Sequence, residues 1–336
     1  MKQKIFNLLK ILLSLGLGVY IFWLVYRRAD IEQIKDVLSG DVSYFILFIS
    51  AVIGVLSHIV RARRWKMLLQ PLGIKPSVKE LTYAIFVNYG VNIILPRVGE
   101  FTRCGMVSKR YHIKFTEVIG TLVSERLTDV LTVGCIVALA FVLQIGTFMR
   151  FFSENETVLS GIHDIFTSIW FYLILLLIVF LCYVFFKSYA QIAFVSKTKQ
   201  MLRNLWLGIC SITKIPSVKS YLFYSVLIWF LYYLQLYAMM QAFGFMKDVS
   251  PLICFVAFAM TCIAGIVPVQ GGIGAWHFAV ITTLVYYGVG NPEAAAFAFV
   301  AHLITMLLNA AVGAFGFIMA SQEISIDLST KTSKQK

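Results

Sequence analysis

Charge is the scarce commodity in this chain: 13% of its 336 residues are Asp, Glu, Lys or Arg, against roughly 25% in a typical soluble domain. Acidic residues are scarcest, 16 against 29 basic ones. The six cysteines (Cys104, Cys135, Cys182, Cys210, Cys254, Cys262) are scattered through apolar segments with no C-x-x-C pair, which argues against a metal site or a disulfide framework. No nucleophile–base pair, metal triad or nucleotide loop stands at a recognisable spacing. What is plentiful is apolar surface, 60% hydrophobic residues, and the composition is that of a polytopic helical membrane protein. A net charge of +13 would point to nucleic acid in a soluble protein. Here nothing resembles a nucleic-acid module, and the position of the charge must be read first.

Six apolar runs are long enough to cross a bilayer: Ile5 to Tyr26, Val42 to Val60, Phe115 to Phe148, Ser168 to Phe186, Tyr221 to Phe243 and Ala294 to Ala320. The first follows Lys2 and Lys4 and lacks a small-residue cleavage site, so it reads as an uncleaved span. The segment of Arg61, Arg63, Arg64, Trp65 and Lys66 suits the headgroup layer. Met201, Leu202, Leu205, Trp206 and Ile209 recur at helical spacing, as in an interfacial amphipathic helix. With the N-terminus inside, inner segments hold three Lys or Arg at the start, eleven from Arg61 to Lys114, six from Lys187 to Lys219 and three in the tail. Outer links hold only Arg27, Arg28, Lys35, Arg150 and Lys247. This asymmetry places both termini in the cytoplasm and accounts for most of the net charge without an anionic ligand.

Two further apolar runs are too short to span. Leu81 to Leu95 reaches ~22 Å of a ~30 Å core and stops at Pro96, with Arg97, Gly99, Glu100 and Arg103 directly after it. Leu252 to Val267 likewise stops at Pro268, followed by Gln270, Gly271, Gly272 and Gly274. Each half, about 1–150 and 165–320, thus has two spans, a proline-broken re-entrant segment and a long last span. Three crossings per half invert the second half relative to the first. Such broken pairs point to a transporter with its site where the breaks meet. The whole forms one transmembrane domain, 1–325, ahead of a disordered cytoplasmic tail, 326–336.

The candidate site residues follow from that plan. Arg97 and Arg103 flank the first break, and a guanidinium holds a phosphate in two parallel hydrogen bonds. Asn88 and Asn92 lie four apart on one helical face, to line a pocket or to bond the broken backbone. Glu125, Arg126 and Asp129 fall ~15–20 Å into their span, where charge is costly unless paired or wet. Arg126 can bridge the carboxylates of its own helix or reach Glu100. Gly271, Gly272 and Gly274 permit a close backbone approach, serving either an oxyanion cradle or a plain tight turn. His58, His277 and His302 are the polar groups of the remaining apolar segments, and His302 mirrors Arg126 in the second half.

The strings NIILPRVGEFTR, SERLTD and PVQGGIG together resemble the flippase-like transmembrane family typified by the membrane region of lysylphosphatidylglycerol synthases, over nearly all of residues 1 to 325. The resemblance implies a bacterial or archaeal cytoplasmic membrane protein that moves polar lipids between leaflets. It carries over Asn92, Pro96, Arg97, Gly99, Glu100, Arg103, Glu125, Arg126 and Asp129, with Pro268, Gly271, Gly272 and Gly274. Two departures stand out. Bifunctional members append a soluble aminoacyltransferase domain, and since this chain ends soon after its last span it is not expected to aminoacylate lipids. His277 and His302 also stand where similar members place an acidic residue and an arginine.

The expectation is therefore a lipid transporter and not an enzyme, with no cofactor or metal, handling an anionic lipid or lipid-linked sugar; homo-oligomerisation is left open. In that reading Arg97, Arg103 and Arg126 bind phosphate, Glu100 and Asp129 balance charge or carry protons, and the glycine loop forms the opposing gate. The alternative is a membrane-embedded transferase, or an accessory subunit of one, with His277 or Asp129 as base. The topology is testable in sealed cells of a cysteine-free background. A cysteine at Ser160 should react with an impermeant thiol reagent and one at Gln200 should not; equal labelling would defeat the inverted arrangement.

Overall fold

The structure, a computed structural model, describes chiefly residues 42–95, 97–146, 214–267 and 269–333, with isolated positions and one helical stretch, 19–27, before them and a few between 167 and 177. Pro96, Pro268, most of the first and fourth apolar runs and the 201–209 segment lie outside the described residues. The described residues form an all-helical body. In chain order its helices are α1 (Tyr44–Leu69), α2 (Val78–Ile94), α3 (Val98–Tyr111), α4 (Phe115–Leu143), α5 (Val218–Gln241), α6 (Pro251–Ala264), α7 (Ala275–Tyr286) and α8 (Asn291–Ser333).

Among the described residues four helices are long and apolar enough to cross a membrane: α1 with the 3-10 turn after it, α4, α5 and α8 as far as Gln322. These helices expose, among the described residues, Tyr44, Phe45, Phe48, Leu127, Leu131, Phe223, Val226, Leu307 and Phe317, apolar surface of the kind a bilayer covers. α6 is apolar but short.

Local chemistry sets the helix ends. Ser77 and Glu80 close a capping box on α2, Ser77 Oγ accepting from the Glu80 amide at 3.1 Å and Glu80 Oε2 from the Ser77 amide at 2.8 Å. Ser250 caps α6, with Pro251 at its first position. α8 runs past Ala320 to Ser333, through residues expected to be disordered; no glycine or proline after Gly316 stops it. The basic stretch at Arg61–Lys66, expected in the headgroup layer, is instead the continuation of α1. Ser50, Ser57, His58, Arg61 and Arg64 mark a polar buried stripe along that helix.

The packing falls into two apolar clusters. One gathers Trp65, Leu68, Leu69, Leu81, Ile85, Cys104, Val107, Val118 and Tyr221 from α1 to α5. The other gathers Met239, Met240, Phe243, Phe258, Val280, Leu284 and Phe297 from α5 to α8. α1 lies along α5, tied at one end where the Ser43 amide donates to the Ala242 carbonyl at 2.7 Å. α2 lies along α8. That contact depends on glycine: a β-carbon on Gly90 would stand 2.8 Å from Gly313 Cα, and one on Gly316 would meet Tyr83 O at 2.9 Å. Such distances leave no room for a side chain. Gly313→Leu should therefore lower stability by ~1–3 kcal/mol through overpacking, read as a reduced melting temperature in detergent; an unchanged value would show that α2 and α8 are not in backbone contact.

Candidate functional site

The first chain break delivers a tight turn. Arg97 takes a left-handed backbone, φ 63°, directly before α3, a conformation that costs a non-glycine residue ~1–3 kcal/mol. Gly99, next but one, is held so closely against α2 that a β-carbon there would strike the Asn88 carbonyl. Asn92 Oδ1 accepts the Gly99 amide at 2.8 Å, satisfying one of the free N–H groups of the new helix. Asn92 thus bonds broken backbone, the second of the two roles its spacing allows.

Across from this turn, Gln270 supplies the missing donors for α2. Its Nε2 donates to the Ile93 and Ile94 carbonyls at 2.7 and 2.9 Å, two of the acceptors left open where a helix ends. The residues just before Pro96 and just after Pro268 are therefore in direct contact.

Beneath the turn lies a buried ionic cluster. Glu125 is fully buried and is met by three arginines: Arg61 at 2.7 Å, Arg64 at 3.3 Å and Arg103 at 3.0 Å. Asp129, one helical turn on, meets Arg64 at 2.8 Å, Arg61 at 3.3 Å and Arg126 at 3.5 Å. Arg126 also reaches Glu100 at 3.3 Å and Glu125 at 3.8 Å. Arg103 lies 4.4 Å over the Trp65 ring, and Trp65 Nε1 donates to Thr121 Oγ1 at 3.0 Å. Arg61 extends the network by donating to Tyr232 at 3.2 Å, whose hydroxyl shares a 2.8 Å hydrogen bond with Tyr89. Four guanidinium groups thus face three carboxylates.

The members differ sharply in exposure. Arg103 and Glu125 are 1% and 0% exposed, whereas the Arg126 side chain is 43% exposed. Arg126, Asp129, Glu100 and Arg97 line a cavity of about 860 Å³, within the size range of small-molecule sites. Its far walls are Trp229, Leu236, Met239, Phe258 and Trp276, with His58, Gln235 and Asn309 between. Arg103 and Glu125 do not line it; they brace the helices behind it. Of the expected phosphate ligands, Arg97 and Arg126 face the cavity and Arg103 does not.

The second group of expected residues gathers elsewhere. Gly271, Gly272 and Gly274 all have positive φ, 61°, 79° and 81°. Two of their amides are already engaged within the loop: Gly272 N–H meets the Val269 carbonyl at 3.4 Å, and Gly274 N–H meets His277 Nδ1 at 3.3 Å. His302 Nε2 stands 3.0 Å from the Gly271 carbonyl, and the two imidazoles are 4.5 Å apart. The tight-turn reading fits this loop and the oxyanion cradle does not. His277 and His302 border a separate, largely apolar hollow of about 310 Å³ with Phe22, Phe299 and Met306, and not the charged cavity.

Arg61 and Arg64 were missed as site residues because neighbouring basic residues mask them in the sequence. The signal was present: 61 and 64 are three apart on one face of an apolar helix, while Arg63 lies off it. Gln235, Trp229 and Asn309 carried no signal, since each is a single polar group in an apolar run. Among the described residues no cluster of three or more metal-ligating side chains occurs.

Among the described residues, an all-helical body with four helices long and apolar enough to span, and a buried arginine–carboxylate network beside a cavity, defines a polytopic membrane protein. Residues 8–313 match the family described as the lysylphosphatidylglycerol synthase TM region, and the chain belongs to that family. It is also 30% identical over 146 residues to glycosyltransferase AglD of Haloferax volcanii, a match covering 43% of this chain and 23% of that protein. The chain thus aligns with about a quarter of that relative's length. No solved structure matches it.

The cluster predicts an ordering of stabilities. Glu125→Gln leaves buried Arg103 without its carboxylate and Arg61 and Arg64 with Asp129 alone, and should cost ~3–5 kcal/mol, seen as loss of the monodisperse peak in size-exclusion chromatography. Arg126→Met, at the exposed edge, should leave that peak in place. Equal behaviour of the two would mean that the cluster does not hold the fold.

Proposed function

We propose that this protein is a flippase-like transporter, not an enzyme, that moves an anionic polar lipid between the leaflets of a bacterial or archaeal cytoplasmic membrane. The observation that carries the reading is the 860 Å³ cavity lined by Arg97 and Arg126 together with aromatic, aliphatic and neutral polar side chains, set among helices long enough to span. A lipid headgroup needs a polar, phosphate-binding place inside the bilayer's thickness, and its acyl chains need none. Family membership supports the same reading.

We read the fold as an inverted repeat with two re-entrant segments and both termini cytoplasmic. The pairing of elements supports this. α2 packs with α3 and α8 as α6 packs with α7 and α4, and α1 with α5 would lie about the axis relating the halves. The Gln270 contact with Ile93 and Ile94 fits breaks that meet.

The likeness to a named glycosyltransferase favours a second reading, a membrane-embedded transferase or its accessory subunit. Reconstituted vesicles separate the two. With a fluorescent analogue of phosphatidylglycerol, the protein should raise the fraction of lipid reduced by external dithionite above one half, with lipid mass unchanged. Arg126→Ala should abolish the increase while preserving the folded peak. An altered lipid mass would favour the transferase, and transport by Arg126→Ala at the normal rate would remove Arg126 from the path.

A further inference from the structure

The cavity is too rich in neutral polar and aromatic groups for phosphate alone. Besides its charged groups its wall presents Trp229, Trp276, Gln235, Thr305 and Asn309, with Tyr232 held by Arg61. Amide side chains donate and accept at once, as do hydroxyl groups, so Gln and Asn match a polyol better than they match a methyl or an ammonium group. Indole and phenol rings supply flat apolar faces with a polar edge, suited to a ring that is apolar on one face and hydroxylated at its rim.

The carboxylates argue against a cationic headgroup. Asp129 is already engaged by Arg61, Arg64 and Arg126, and Glu100 by Arg126. Charge balance points the same way: the four guanidinium groups of the cluster outnumber its three carboxylates, and Arg97 adds a further positive charge at the cavity. An anion is favoured at the arginines and a neutral, hydroxyl-rich group at the rest of the polar wall.

We infer that the cavity takes a lipid-linked saccharide, its phosphate at Arg97 and Arg126 and its sugar among Trp229, Gln235, Trp276 and Asn309. This rests on the lipid-transport reading and specifies its substrate class. The volume accommodates a sugar phosphate while the prenyl or acyl chain stays in lipid.

Calorimetric titration of the purified full chain in detergent tests it with three probes: a short-chain prenyl phosphate, the same molecule carrying glucose on the phosphate, and a short-chain phosphatidylglycerol. The glucosyl form should bind at least ~10-fold tighter than either of the others. Gln235→Leu and Trp229→Phe should bring the ratio of glucosyl to bare phosphate towards one. Arg126→Ala should weaken both prenyl probes and leave their ratio. Equal affinity of the two prenyl probes in the unaltered protein, or tighter binding of phosphatidylglycerol, overturns the saccharide while leaving lipid transport standing. Failure of all three to bind overturns both.

Discussion

A buried carboxylate cannot stand alone, and the interior of this protein is arranged around that fact. Removing an ion from water costs several kcal/mol even after relaxation, and only close counter-charges and hydrogen bonds offset it. Glu125 has no exposed surface, and its three nearest guanidinium groups arrive from two other helices, Arg61 and Arg64 from α1 and Arg103 from α3. Asp129 adds Arg126 from its own helix. One oxygen pair thereby fixes the mutual positions of three helices that apolar packing alone would allow to slide, because lipid gives little preference among apolar contacts. The network ends at the cavity, where Arg126 is half in and half out. Its position is set by Glu100 and Asp129 beside it and, behind them, by the sealed Glu125.

Much of the site's first half was legible because charge is so rare in this chain. Any Asp, Glu or Arg inside an apolar run demands a reason, and Glu125, Arg126, Asp129 and Glu100 do come together. The two places where apolar runs stop short were legible too, since no fifteen-residue helix spans a bilayer. What could not be read was direction. Arg103 and Arg97 lie on either side of the same short turn, yet one is sealed against Trp65 and the other faces the cavity. Periodicity places residues on faces, but only packing decides which face looks inward.

The same limit explains the misreading of the Arg61 segment. Arg61, Arg63, Arg64 and Lys66 form one basic block in the sequence, and a block suggests headgroups. In the helix the block divides: Arg61 and Arg64 turn into the protein and Arg63 turns out, 5.9 Å over the Tyr224 ring. The histidines were misplaced for a related reason. His277 and His302 face each other and the glycine loop, supporting its backbone instead of meeting the arginines. A mirror relation in sequence fixes equivalent depth, not equivalent chemistry.

Gln270 gives the seam between the two breaks an unusual softness. Everywhere else α2 is bound by its own ladder or by backbone contact with α8, but its last carbonyls depend on a single side-chain amide from the opposite half. A pair of such hydrogen bonds is worth ~1–3 kcal/mol net, and Ile94 already lies at the surface. Rotation of that one side chain would part the two ends without unwinding a turn of either helix, and states separated by a few kcal/mol are populated at roughly 0.1–10%. The joint is therefore a clasp within reach of thermal motion, set in a body held elsewhere by buried ion pairs and two apolar clusters.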